Sequence, residues 1–301
     1  MASVLRALVS LLSLLLCAAI AAGCSEEDRD SREGDRRAGD GERREGAGTT
    51  PAAPRYEPVE VVNGGSITGT VEWIGARPEP IEIPVALHAE QCGETQRSPV
   101  LAISRRGGVS GTVVWLDRIR RGRALVVPSE PVVVSIEGCA FRPHVSAVAV
   151  GARVVFRNDE PILHNVHASF VEPARPPRSW FSEGLPEQGA AHEVLFERPG
   201  IVRVVDDAGH PWMLAWVHAF EHPYFAVSDA EGRFQLTGIP PGQYVLRAWH
   251  EGFLTSGATE SGRPVYSAPI VLSRPVTVAT GHDTTVDFEI GSAAAEAAGR
   301  H

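Results

Sequence analysis

From Val59 onward the chain is a series of short apolar runs that Gly, Pro and Asp residues separate. No long stretch in this part repeats its apolar residues with a helical period. Runs of this length that are rich in Val and Ile and bounded by turn residues predict β-strands. The pattern therefore predicts an all-β protein, built as a sandwich or a barrel.

The predicted strands of the first part cover residues 66–73, 85–88, 111–116, 132–136, 147–150, 153–157, 192–196 and 201–205. The segment over residues 173–189 is an exception, because it is rich in Pro and contains Trp180 and Phe181. We expect that segment to be a long surface loop.

Composition limits the size of the fold and the class of partner. A length of 301 residues allows one large domain or two small ones, and a hydrophobic content of 43% is enough for a substantial core. The formal net charge of −9 gives no electrostatic support for binding to nucleic acid. No nucleic acid is therefore expected as a partner.

The N-terminus has the pattern of an export signal. Arg6 precedes an apolar run over residues 8–22, which is too short to span a membrane comfortably. The run ends in Ala21-Ala22-Gly23-Cys24, which resembles a bacterial lipobox. The resemblance implies a signal peptide over residues 1–23 and a lipid on Cys24. The protein would then be exported and anchored to a membrane of the bacterial cell envelope. An ordinary signal peptide followed by a chance cysteine is the alternative.

Two terminal segments are expected to be disordered. Residues 24–58 are dense in Glu, Asp, Arg and Gly and contain almost no large apolar residues. Such a segment cannot bury enough surface to offset the entropy lost on ordering, so it predicts a charged linker. The Ala-rich residues 292–301 predict a disordered tail.

The cysteines support an oxidising compartment. Cys17 leaves with the signal peptide and Cys24 carries the lipid, so Cys92 and Cys139 remain as the mature pair. In an exported protein such a pair predicts a disulfide. Closure of that loop would stabilise the fold by about 4 kcal/mol in the chain-entropy model. A pair of soft metal ligands is the weaker alternative, because neither cysteine has a close His or Cys.

The C-terminal part resembles a known β-sandwich. Ser228-Asp229 and Gly232-Arg233-Phe234 form a predicted hairpin, and Pro240-Pro241-Gly242-Gln243-Tyr244 turns into the next strand. These motifs resemble the carboxypeptidase regulatory-like, or transthyretin-like, module. The resemblance implies a smaller sandwich over residues 223–291. Such modules are usually accessory, and some occur within folds that bind carbohydrate, so the resemblance does not assign an activity.

The preceding part, together with this module, resembles bacterial cupredoxin-like proteins, including those often labelled methylamine-utilisation proteins. The shared motifs are Cys139-x-x-x-Pro143-His144, Gly151 to Asn158-x-Glu160, His164-Asn165, His210-Pro211-Trp212-Met213 and Glu221-His222-Pro223-Tyr224-Phe225. The resemblance covers residues 66–251 and implies a cupredoxin-like Greek-key β-sandwich over residues 59–222.

The resemblance also implies a metal site. In that family a Cys, a His and a Met follow one another on a loop, and an earlier His completes the set around copper. Here the earlier His is His164, the loop His is His210 and the axial Met is Met213. The Cys position is occupied by Asp206. Strand alternation places Val202, Val204 and Asp206 on one face, so Asp206 points where the thiolate would lie.

The exchange of thiolate for carboxylate changes the expected chemistry. A carboxylate is a harder ligand that disfavours Cu(I), although a His-Asp-His set can hold Cu(II), Zn or another divalent ion. We therefore expect copper or another divalent metal ion at His164, Asp206, His210 and Met213. The expected role is copper handling or redox chemistry with an envelope protein partner, rather than blue-copper electron transfer.

Metal-free alternatives remain open. Asp206 could accept hydrogen bonds within its turn and pair with His210, while Met213 could be a core residue and His164 a satisfied loop histidine. The protein would then be a module for carbohydrate or protein binding, or a purely structural envelope protein. The motifs Gly-x-Ser-x-Gly and His-Glu-x-x-His are missing, as is a phosphate loop with Lys, so no enzyme is expected.

Overall fold

The computed structural model describes residues 56–298. The predicted signal peptide, the lipid-bearing Cys24 and most of the predicted linker lie outside the described residues. Within residues 56–298, no helix is both long enough and apolar enough to cross a membrane.

The described chain contains 23 strands and two short helices. The first strands are β1 (Glu57–Pro58), β2 (Gly65–Trp73), β3 (Glu82–Pro84), β4 (Thr95–Arg97), β5 (Val113–Leu116), β6 (Arg121–Gly122), β7 (Val132–Ile136) and β8 (Phe141–Arg142). The central strands are β9 (Val145–Ala149), β10 (Arg153–Asn158), β11 (His164–Val171), β12 (Arg178–Leu185), β13 (Ala191–Leu195), β14 (Gly200–Asp206) and β15 (Leu214–Phe220). The last strands are β16 (Phe225–Val227), β17 (Arg233–Ile239), β18 (Gly242–His250), β19 (Thr255–Ala258), β20 (Pro264–Tyr266), β21 (Ile270–Val278), β22 (Asp283–Thr285) and β23 (Phe288–Ile290). The helices are α1 (Ala89–Cys92) and α2 (Ser292–Ala298).

Strands β7 to β15 form the first sandwich. One sheet has the order β13-β10-β7-β8 and the other has the order β12-β11-β14-β15-β9. Apolar side chains that alternate along strands of both sheets share one core. Its members include Val134, Ile136, Val154, Phe156, Val166, Ala168, Val202, Val204 and Val217. One face of each of these strands is therefore apolar and packs into the core, as the alternation in the sequence predicted.

The second sandwich combines strands from both ends of the described chain. One sheet has the order β16-β5-β18-β21, and the other has β17, β2 and β22, with β23 also paired to β2. Its core contains Ile67, Val71, Val113, Leu116, Phe234, Leu236, Leu246 and Phe288. The fold class, an all-β protein with two sandwiches, is confirmed.

The predicted boundary between the two sandwiches is corrected by strand pairing. Strand β2 pairs with β17, and β5 pairs with β16 and β18. These early strands supply apolar side chains to the core, which the C-terminal strands alone could not complete. The second sandwich therefore begins well before residue 223, and the first sandwich starts near β7 rather than at residue 59.

Several local predictions are also corrected. Residues 85–88 are not a strand, because the chain turns into α1 through His88, which has φ 59°. Strand β12 occupies residues 178–185 of the predicted surface loop over 173–189, because it pairs antiparallel with β11. Residues 292–298 form α2 instead of a disordered tail, since Ala favours helix and Ala295 is buried.

The end of the predicted linker is ordered as well. Strand β1 pairs in parallel with β6, and the Tyr56 hydroxyl donates to the carbonyl of Arg123 at 2.6 Å. Backbone pairing and this partly buried hydrogen bond hold residues 56–58 against the second sandwich. The predicted linker boundary at residue 58 is therefore wrong for residues 56–58, which are ordered.

Cys92 and Cys139 form the disulfide that the sequence predicted. Their Cα atoms lie 5.5 Å apart, and 47 residues separate them in the chain. The bond ties α1 to the turn between β7 and β8. It therefore fixes the segment that carries His88 to the first sandwich.

Candidate functional site

Two neighbouring strands bring His164 and Asp206 together. Strand β11 begins at His164 and β14 ends at Asp206, and the two strands pair antiparallel with Val166 opposite Asp206. Val202, Val204 and Asp206 are all buried, so Asp206 faces the core as its alternation predicted. The carboxylate is thereby placed beside the His164 ring.

The loop after β14 returns His210 to the same carboxylate. One Asp206 oxygen, Oδ1, accepts the N–H of Ala208 at 2.6 Å. Gly209 then adopts φ 101°, a left-handed conformation that favours glycine. This tight turn leaves Nδ1 of His210 3.0 Å from Oδ1 of Asp206.

The three side chains form one compact, fully enclosed group. Nδ1 of His164 lies 2.8 Å from Oδ2 of Asp206. The two imidazole rings are 4.6 Å apart between centroids. The donor atoms of His164, Asp206 and His210 all lie within 4.8 Å of one another, and each side chain is buried. One carboxylate therefore bridges the Nδ1 atoms of two histidines.

The outer nitrogen of each histidine also has a partner. Nε2 of His164 lies 3.0 Å from Oε2 of Glu160. The other oxygen of Glu160 accepts the backbone N–H of Cys139 at 2.9 Å. Nε2 of His210 lies 3.2 Å from Nδ1 of His88, and their rings stack at 5.4 Å. Both rings are thus fixed with Nδ1 turned inward.

The electrostatics favour ionised carboxylates and a charged His164. Burial opposes ionisation, but hydrogen bonds from His164 and His210 hold the pKa of Asp206 below its ordinary value. The pKa of Glu160 is likewise lowered by His164 and by backbone donors, against the effect of burial. Burial also opposes the charged form of His164, yet both carboxylates raise its pKa. Since ionised carboxylates only accept, both His164 nitrogens donate.

The loop residues after His210 are buried in the first sandwich. Met213 is 1% exposed, and its N–H donates to the carbonyl of His210 at 3.0 Å. The indole of Trp212 donates to the carbonyl of Cys139 at 2.8 Å. Met213 therefore belongs to the loop that the site organises, although the compact donor group itself consists of the two histidines and Asp206.

Three contributing residues were not predicted from the sequence. Glu160 belongs to the Asn158-x-Glu160 motif, but nothing in that motif assigned it to the site. His88 lies far from the other residues in the chain and depends on α1 and the disulfide for its position. Arg263 follows a Ser-Gly pair that gives no signal of function, yet its guanidinium donates to the carbonyls of Asp206, Pro211 and Met213.

Two further histidines, His167 and His144, lie outside this group. His167 is partly exposed and contacts Asp207 at 2.6 Å and the hydroxyl of Ser179 at 3.0 Å. His144 pairs with Glu251. Neither belongs to the compact group of donor atoms.

The donor set fits a divalent ion. Two nitrogens and a carboxylate are the ligand types that Zn(II) and Cu(II) accept. In metal sites the second nitrogen of a ligating histidine is normally held by a carboxylate, a carbonyl or water. Glu160 supplies such a partner to His164. To ligate a cation, His164 would lose the proton at Nδ1.

The solved structures that resemble this protein match only part of the chain. Among curated proteins, none matches the chain. The chain is similar to amicyanin from Paracoccus versutus, with 24% sequence identity and a TM-score of 0.27. That match covers 31% of this chain and 85% of amicyanin. It is also similar to a purple cupredoxin from Nitrosopumilus maritimus, with 19% sequence identity and a TM-score of 0.26. That match covers 30% of this chain and 99% of the cupredoxin.

A larger copper protein gives a similar partial match. The Cu-containing nitrite reductase NirK from Thermus scotoductus SA-01 has 23% identity over 33% of this chain, with a TM-score of 0.26. The chain spans 24% of that protein's length.

A family model supports the C-terminal resemblance. The carboxypeptidase regulatory-like domain matches residues 202–291. The match begins in β14, inside the first sandwich, and includes all strands from β15 to β23. The expected carboxypeptidase regulatory-like domain is therefore present, and its match starts at residue 202 rather than at residue 223.

Proposed function

We propose that the first sandwich binds one divalent metal ion through Nδ1 of His164, the carboxylate of Asp206 and Nδ1 of His210. The observation that carries the proposal is the orientation of the two rings. Both Nδ1 atoms face the same carboxylate, while Glu160 and His88 hold the outer nitrogens. A binding ion would take the place of the proton that His164 shares with Asp206.

The proposed role is metal handling rather than blue-copper electron transfer. Asp206 supplies a hard oxygen where a soft thiolate would be needed to stabilise Cu(I). Cu(II) and Zn(II) are therefore the favoured ions. Two carboxylates, Asp206 and Glu160, would balance the charge of a divalent cation in this buried place.

His88 gives the buried site a connection toward solvent. His210 has no exposed surface, whereas His88 is partly exposed and stacks on its ring. Leu87 packs against Gly209, so residues 87–88 lie over the loop that carries His210. We infer that an ion enters through displacement of His88 and that His88 then holds His210 in its ligating orientation.

The cellular setting completes the proposal. An export signal with lipid on Cys24 would place the protein at the membrane of the cell envelope, where an oxidising environment maintains disulfides. The pairing of Cys92 with Cys139 supports that setting. In this role the protein would bind copper or a similar ion and exchange it, or electrons, with another envelope protein.

Titration calorimetry on the metal-free protein tests the proposal. Wild type should bind one equivalent of Cu(II) or Zn(II), and His210→Ala and His164→Ala should each abolish that binding. His167→Ala is the matched control, because His167 is a partly exposed histidine on the same strand as His164. Absence of stoichiometric binding in wild type would support a metal-free binding module instead.

A further inference from the structure

A groove of about 260 Å³ lies on the first sandwich, away from the histidine group. Its walls include Phe170, Arg178, Trp180, Leu195 and Arg198. Strand β12 is an edge of the five-stranded sheet, and β13 is an edge of the four-stranded sheet. The groove is thus lined by residues from the edges of both sheets.

A bulge in β12 builds the aromatic floor of this groove. Ala168 pairs with Phe181 and Ser169 pairs with Ser179, so Trp180 is the extra residue. A bulge redirects a side chain out of the regular alternation. The Trp180 ring accordingly packs at 5.1 Å from Phe170 and at 5.0 Å from Phe196, between centroids. The floor is a fixed cluster of aromatic rings.

Two arginines border this floor without acidic partners. The guanidinium carbon of Arg198 lies 3.6 Å from the centroid of the Phe170 ring, and that of Arg178 lies 5.9 Å from it. Nη2 of Arg198 is buried and has no hydrogen-bond partner. Among residues 56–298, neither arginine forms a side-chain hydrogen bond or an ion pair, although the protein has 37 acidic and 28 basic residues.

An unpaired buried donor is costly, so Nη2 of Arg198 favours an acceptor from outside the chain. The guanidinium of Arg178 is exposed and is free to pair with the same acceptor. A carboxylate matches the planar fork of a guanidinium and can accept two hydrogen bonds from it. The nearby Trp180 offers an apolar surface for a ring attached to that carboxylate. Glu197, which also lines the groove, disfavours ligands with more than one negative charge.

We propose that this groove binds a small ligand with one carboxylate on a six-membered ring. The carboxylate pairs with Arg198 and Arg178, and the ring packs against Trp180. A sugar acid and an aromatic acid share this chemistry. The proposal is independent of metal binding, since it uses none of the residues of the histidine group.

Calorimetry with the full chain tests the groove, with glucuronate and benzoate as carboxylate probes. At least one of them should show saturable binding at millimolar concentration, and the one that binds identifies the ring type. Glucose and inorganic phosphate should not bind. Arg198→Gln and Arg178→Gln should each weaken binding by about tenfold or more, which corresponds to a lost charge-assisted hydrogen bond.

Two controls separate recognition from folding. Arg175→Gln should leave binding unchanged, because Arg175 is exposed and pairs with Glu172 instead. Thermal unfolding of each variant shows whether it folds, and the exposed Arg178 allows the test even if Arg198→Gln is unstable. The proposal is overturned if neither carboxylate binds, if phosphate binds in its place, or if folded arginine variants bind as wild type does.

Discussion

His164 and Asp206 are joined by a 2.8 Å contact between Nδ1 and Oδ2 in which neither side chain is exposed to solvent. Because the other nitrogen of His164 also faces a carboxylate, the ring is held as a donor on both sides. The site is thus a buried, charged and fully hydrogen-bonded group. Such a group is stable only while all of its members are present.

Removal of the bridging carboxylate should destabilise the protein strongly. In Asp206→Ala the rings of His164 and His210 and the N–H of Ala208 all lose a partner. We expect the free energy of unfolding to fall by about 3–5 kcal/mol, as for other broken buried ion pairs. Urea denaturation measures the change.

The neighbouring carboxylate provides the control for that experiment. The Asp207 side chain is 46% exposed, and its partners are a partly exposed histidine and Arg263. Asp207→Asn should therefore change the free energy of unfolding by about 1 kcal/mol or less. If the two substitutions lowered the free energy of unfolding equally, burial of Asp206 would not be the cause of the large effect.

Introduction of a thiolate at residue 206 should change the visible absorption of the copper-loaded site. In Asp206→Cys, a soft sulfur ligand would join His164 and His210, which suits the copper–thiolate bond of a blue site. We expect an intense visible absorption band after addition of Cu(II) to this variant, and none in wild type. A blue band in wild type would show that Asp206 does not prevent this chemistry.

His88 should affect affinity more than stability. It holds the outer nitrogen of His210 but lies partly exposed. Loss of such an outer partner typically weakens metal binding by about 10–100-fold. Calorimetry on His88→Ala should show that loss with one site retained, whereas affinity equal to wild type would remove His88 from the proposed site.

A second, partly buried ion pair should govern part of the pH dependence of stability. Burial disfavours a charged His144, but the adjacent Glu251 carboxylate and the carbonyl of Leu214 raise its pKa above 6.5. This pair therefore stabilises the fold at pH values below the pKa that His144 has in the unfolded chain. Its contribution is lost as the pH rises through the higher pKa of folded His144.

The pH dependence can be isolated with one substitution. Glu251→Gln keeps an acceptor for the indole of Trp216 but removes the charge that raises the pKa of His144. The free energy of unfolding, measured by denaturation from pH 6 upward, should therefore decline less in this variant than in wild type. Parallel profiles would show that His144 does not titrate in this way.

The sequence predicted the local elements of the fold better than their partners. Alternating Val and Ile residues identified strands such as β7, β10 and β14, since burial of one face follows from local pattern. The pairing of β2 and β5 with C-terminal strands was missed because pattern alone does not specify which distant strand completes a sheet. Strand β12 was missed because Pro residues before it obscured its pairing with β11.

The site shows the same division between local and long-range information. His164, Asp206 and His210 were identified from the resemblance to cupredoxin-like proteins, and strand alternation added only that Asp206 points to the inner face. The contributions of His88 and Arg263 could not be found in this way, because each reaches the site from a distant segment. The position of His88 depends on the disulfide, and that of Arg263 depends on the turn between β19 and β20.

The most direct test of the metal site is an anomalous-scattering map from a crystal of the copper-loaded protein. We expect one copper peak at about 2.0–2.2 Å from Nδ1 of both His164 and His210 and from an oxygen of Asp206. Absence of a peak within the His164, Asp206 and His210 group, or a copper ion held only by other histidines, would contradict this expectation.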